Sequence, residues 1–107
     1  MSCNIVVKDK QDTFWLCNYT DGDIAEDLSS EVKKLIEQTS ESQLFAEVLV
    51  NILVKDSSHN YEIVNGEHSG VDCIYTVDLE NKELYYREIR RVGLDYEQGC
   101  KVYLIGG

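Results

Sequence analysis

No proline occurs among the 107 residues, and methionine and tryptophan appear once each. Without proline the chain has no rigid break and no Pro-rich linker, and its length fits one hydrophobic core. The expectation is a single acidic domain over residues 1–107. No apolar run approaches the roughly 20 residues that span a bilayer, so no membrane contact is expected. There is no Gly-rich phosphate cradle of the P-loop kind, which removes the usual grip on a nucleotide. No two cysteines stand in C-x-x-C spacing, which argues against zinc and thioredoxin-type chemistry.

Basic residues are scarce too, with 10 Lys and Arg against 20 Asp and Glu, a formal net charge of −10. A field of that sign repels phosphate backbones and anionic membranes, so direct nucleic-acid binding is not expected. It favours a basic protein surface as partner, although solubility alone also accounts for it. The four cysteines, at 3, 17, 73 and 100, follow no secretory apolar segment. They are expected to be reduced thiols acting as small buried hydrophobes in a cytoplasmic protein, with disulfides left open by the even count.

What is present reads as α+β. Residues 4–8 and 13–19 form an N-terminal hairpin around the polar turn "DKQD". In its second strand Trp15 and Cys17 share one face, and Phe14 and Leu16 the other. Apolar character on both faces predicts cover on each side, or an outer face that meets a partner. Ile24, Leu28, Val32, Leu35 and Ile36 recur on one helical face, predicting a helix over 24–39 with Asp23 as N-cap and Glu26 completing a capping box. Ser40 with Gln43 repeats that signature before a second stripe, Leu44, Phe45, Val48, Leu49, Ile52 and Leu53, which predicts a second helix. Period two then returns. Tyr61 to Val64 is a short strand, Val71 to Arg91 a hairpin turning at Glu80–Lys82 and returning through Leu84–Tyr86, and Lys101 to Ile105 a last strand. The expected fold is an antiparallel β-sheet of about five to six strands carrying two consecutive helices on one face, in the order ββααββββ.

The densest acidic stretch, Asn18 to Leu28, holds three Asp and one Glu with no basic residue. An EF-hand needs ligands at alternate positions. Tyr19 breaks the ladder before Asp21, and Asp21 and Asp23 flank Gly22, so no metal and no cofactor are expected. His59 and His68 lie in polar loops, and an enzyme reading requires one of them to meet Cys73 or Cys17. No catalytic residues are assigned, and the chain is expected not to be an enzyme. Arg87, Arg90 and Arg91 form the basic cluster, serving either to guard an edge strand or to orient a partner. The terminal "YLIGG" is similar to the diglycine tails of ubiquitin-like proteins and sulfur carriers, but its apolar strand runs straight into Gly106.

Two segments together resemble a loosely defined group of small phage and bacterial proteins. The matching residues are Trp15-Leu16, Tyr19 and Asp21-Gly22 at the end of the first hairpin. In the later one they are Tyr75, Val77-Asp78-Leu79 and Leu84-Tyr85-Tyr86. The group usually has His before its Asp-Gly and Tyr-Pro after it, where this chain has Tyr19-Thr20 and Asp23-Ile24. The resemblance implies a mobile-element or bacterial accessory protein.

Context and charge lead to a non-enzymatic protein-binding module. The expectation is an inhibitor of the anti-CRISPR or anti-restriction type that occupies a nucleic-acid-binding groove by mimicry. The alternative is an immunity protein neutralising a basic nuclease toxin. The partner-binding residues expected are Asp21, Asp23, Glu26, Asp27 and Glu31, with Asp78, Glu80 and Glu83 on the later hairpin. Tyr85 and Tyr86 are the expected apolar anchors.

Overall fold

A computed structural model describes residues 3–18, 24–40, 43–56, 60–66, 71–92 and 95–104. Its elements are β1 (Cys3–Lys8), β2 (Thr13–Asn18), α1 (Ala25–Gln38), α2 (Ala46–Asp56), β3 (Tyr61–Val64), β4 (Cys73–Asp78), β5 (Glu83–Val92) and β6 (Asp95–Leu104). The strands form one six-stranded sheet in the spatial order β3-β2-β1-β4-β5-β6. The class is α+β, but the sheet is mixed rather than antiparallel, because β1 and β4 pair in parallel. A parallel neighbour needs a long crossover, and the segment from β2 through both helices and β3 supplies it.

The central position of β1 explains its composition. β1 has a strand on each side, and Ile5, Val6 and Val7 are all buried, Ile5 and Val7 in the core under the helices and Val6 in a smaller cluster on the opposite face. Register sorts the side chains cleanly. Cys3, Ile5 and Val7 of β1 align with Cys73, Tyr75 and Val77 of β4, and Tyr75 and Val77 align with Tyr86 and Leu84 of β5. These residues belong to the main core together with Leu28, Val32 and Leu35 of α1 and Ala46, Leu49, Val50 and Leu53 of α2. Both helices therefore cover one face of the sheet. On the other face a smaller cluster joins Val6, Ile74 and Val71, with Trp15 packed against it.

The helix starts depart from the expected caps. Ile24, not Asp23, occupies the N-cap of α1, and no side chain caps it. Ile24 is buried and its carbonyl accepts from the Leu28 amide at 2.9 Å, so packing rather than an Asp–Glu box sets where this helix begins. The Ser40 carbonyl accepts from the Gln43 amide at 2.9 Å, closing a backbone turn. α2 starts three residues later, where the Ala46 amide donates to Asp9 Oδ2 at 2.7 Å across 37 residues of sequence.

Strand β5 lies between β4 and β6, so Arg87, register partner of Ile74 and of Cys100, guards no edge. Arg90 and Arg91 lie beyond the last β4 pair, Cys73 with Glu88, and among the described residues pair with β6 alone. β5 and β6 are ten residues each, longer than the returns at Leu84–Tyr86 and Lys101–Ile105 that alternation alone indicated.

Buried polar groups are satisfied locally. Asn4 Nδ2 donates to the Leu16 carbonyl at 3.2 Å and Asn18 Nδ2 to the Asn60 carbonyl at 2.9 Å. The Tyr61 hydroxyl donates to Asp27 Oδ2 at 2.8 Å, fastening α1 to β3. Tyr61→Phe is expected to cost about 1.5–3 kcal/mol, the worth of one hydrogen bond to a charged acceptor. A urea unfolding series reads this as a lowered midpoint at unchanged slope.

Candidate functional site

The expected site residues divide between two ends of the sheet. At one end Cys3 aligns with Asn18 and with Cys73, and at the other Lys8 aligns with Thr13 and with Asp78. The length of β1, ~17 Å at the usual rise per residue, separates the two. α1 begins at the Asn18 end, since its first-turn Asp27 bonds Tyr61, the register partner of Asn18. Glu26 and Asp27 therefore sit at one end, and Asp78, Glu80 and Glu83 at the other. Asp21 and Asp23 lie outside the described residues.

Several of these acids already have work within the fold. Asp27 is taken by Tyr61. Glu31 is half-buried and pairs with Lys34 at 3.6 Å. Asp78 is buried and accepts from both the Asn81 amide (3.2 Å) and Asn81 Nδ2 (2.8 Å), closing the β4–β5 turn. Glu26 and Glu80 are exposed and Glu83 half-buried. The two tyrosines separate as well. Tyr86 packs against Tyr75 on the helix side, ring centroids 5.0 Å apart and tilted by 52°. Tyr85, one residue away, faces the opposite side of the sheet.

Charge is uneven along the chain. α1 and α2 together hold six acidic and three basic residues, a net −3 of the total −10. Residues 83–107 hold four of each and are neutral. Glu26 and Glu37 on α1 and Glu47 on α2 are exposed, with the exposed Lys33 and Lys34 between the first two.

One carboxylate that sequence reasoning missed organises the Lys8 end. Asp9 Oδ1 accepts from the amides of Gln11 and Asp12, both at 2.7 Å, while Oδ2 accepts from Ala46. Burial at this junction opposes its charge, but the amides of Ala46, Asp12 and Gln11 outweigh that and hold the carboxyl below its ordinary range. Its local half was legible, because an Asp bonding amides two and three residues on is the usual Asx turn.

Beside Asp9 opens a cleft of about 240 Å³, lined by the apolar Leu44, Phe45 and Leu79 and by Lys10, Glu80 and Lys82. Phe45 is 45% exposed there, and Val48 of the same stripe is exposed as well. The cleft falls below the ~300 Å³ at which small-molecule pockets begin, and suits a single inserted side chain. Asp9 is its most buried acid and is fully engaged by backbone donors, so it is not poised for proton transfer.

The cysteines depart from the expected reduced state. Cys3 and Cys73, register partners on β1 and β4, are joined by a disulfide, and Cys17 is a buried free thiol. Cys73 is thus unavailable as a nucleophile while that bond stands, and His59 and His68 lie outside the described residues. Among the described residues no group of three or more His, Cys, Asp or Glu side chains is placed to hold a metal ion, and no helix is long and apolar enough to cross a membrane. No protein-family model matches the chain, and no characterised protein or solved structure is significantly similar to it.

Proposed function

We propose that the chain is a non-enzymatic, acidic protein-binding module whose partner presents a basic surface of the kind that grips a nucleic-acid backbone. An inhibitor of phage or mobile-element origin, acting on a CRISPR effector or a restriction enzyme, has this chemistry. The observation that carries the reading is the acidic helical layer, a net −3 over α1 and α2, with Glu26, Glu37 and Glu47 exposed on it. Lys33 and Lys34 interrupt the acids of α1. Recognition therefore rests on the summed field of the layer, which steers a cationic partner, and not on a regular row of phosphate-like charges. The cleft beside Phe45 supplies the apolar anchor that charge alone lacks.

The test is capture from a bacterial lysate at low salt on two columns, one carrying the wild type and one Glu26→Lys/Glu37→Lys/Glu47→Lys. None of these three side chains makes a described contact in the core, so the variant is expected to fold. The expected result is a basic nucleic-acid-handling protein, or a basic nuclease toxin, on the wild-type column, released by competing duplex DNA. The triple reversal is expected to lower its affinity at least tenfold. Equal retention on both columns would remove the electrostatic basis of the reading.

A further inference from the structure

On the helix-free face, register aligns Val64 with Trp15, Trp15 with Val6, Val6 with Thr76 and Thr76 with Tyr85, one residue from each of five adjacent strands. The row is apolar or aromatic except for Thr76. Trp15, Thr76, Tyr85 and Val64 are each only half-buried, and no helix residue belongs to the cluster of Val6, Val71 and Ile74 beneath Trp15. Two aromatics thus stand in a stripe that the chain's own helices leave uncovered, in a protein whose main core is complete without them.

We infer that this face is the contact surface for a second copy of the chain, two sheets packing face to face about a twofold axis that runs along the apolar row. Charge selects the occupant. Two copies at −10 each repel, and the two helices carry a net −3 of that charge with Glu26, Glu37 and Glu47 exposed. The strand residues of the open face are close to balanced, with Lys8 and Arg87 against Glu62, Asp78 and Glu83, and Asp78 is buried in its own turn. Pairing through this face keeps both acidic layers on the outside.

The face is also self-complementary. Glu83 and Arg87 flank Tyr85 at two residues on either side, on the same face of β5, with Glu83 half-buried and Arg87 exposed. Rotation about the row brings Glu83 of one copy over Arg87 of the other, twice per dimer, as an isologous interface requires. Six strands of about six residues give a projected area of roughly 500 Å² per copy. Side-chain relief brings this toward the ~800 Å² per partner of a standard interface. Aligned sheets pack about 10 Å apart, which suits interdigitated Trp and Tyr side chains.

Light scattering coupled to size exclusion, run over a concentration series, tests this. The expected mass is twice that of the 12.2 kDa chain, falling toward the single chain on dilution. Glu83→Arg alone places Arg over Arg, and Arg87→Glu alone places Glu over Glu. Each is expected to weaken the dimer at least tenfold, and the double swap to restore it. Trp15→Glu is expected to give a monomer that still melts cooperatively. A single-chain mass at every concentration, or single reversals that leave the dimer unchanged, would overturn the inference, and so would a double swap that fails to restore a dimer lost in both singles.

Discussion

Cys73→Ser is expected to lower the unfolding free energy by about 4 kcal/mol, the largest single loss anticipated for this chain. The disulfide joins residues 70 apart in sequence, and in the chain-entropy account a closed loop of that length removes much of the unfolded state's freedom. Its place in the sheet adds to the effect. Among the described residues β1 and β4 form the one parallel pair, the seam between β3-β2-β1 and β4-β5-β6. The bond clamps that seam at the Cys3 end, while the Leu79 amide, donating to the Lys8 carbonyl at 3.0 Å, closes the other. For a domain of about 100 residues the loss corresponds to a melting temperature lower by roughly 15–30 °C. Wild-type protein unfolded with and without a strong thiol reductant gives the matching control. Reductant is expected to reproduce the loss in the wild type and to leave Cys73→Ser unchanged. A wild-type midpoint indifferent to reductant would contradict the bond.

Asp9→Ala is the second large effect, at about 2–3 kcal/mol at neutral pH. One carboxylate satisfies two amides of the β1–β2 turn and the first amide of α2, so its removal frees donors on two elements and unties the helix from the hairpin. The cost also depends on pH. The folded protein holds this carboxyl below its ordinary range, whereas in the unfolded chain it titrates near the usual ~3.9. Its stabilisation is therefore complete above the unfolded value and is lost as pH falls through the lowered folded value. Urea midpoints of wild type and Asp9→Ala are expected to differ widely at neutral pH and to converge in strong acid. Asp9→Asn, which keeps an acceptor but not the charge, is expected to fall between them.

The pattern of residues carried much of the fold because it is a local quantity. Alternation placed Cys73, Tyr75 and Val77 on one face and Ile74 and Thr76 on the other, and the four-residue rhythm separated α1 from α2. The same period of two implies that Tyr85 and Tyr86 cannot share a surface, although both were expected to anchor one partner. Pairing direction is a different matter. Nothing in β1 or β4 alone distinguishes a parallel from an antiparallel neighbour, because the side-chain period is identical in both. The disulfide follows from that same pairing, since Cys3 and Cys73 meet only once the two strands lie side by side. Asp9 was half legible, its turn local and its bond to Ala46 spanning a strand and a helix, β2 and α1. The acidic site suffered from the opposite error. Asp27 and Asp78 look like free surface charge in sequence, and tertiary partners consume both.

The salt dependence of affinity between the purified chain and its captured partner tests the central claim most directly. An acidic helical layer that binds through its field predicts a dissociation constant rising steeply with ionic strength, with the association rate carrying most of the change. The triple reversal of Glu26, Glu37 and Glu47 is expected to flatten that slope. An affinity indifferent to salt in the wild type would place the binding in apolar contact and contradict the account.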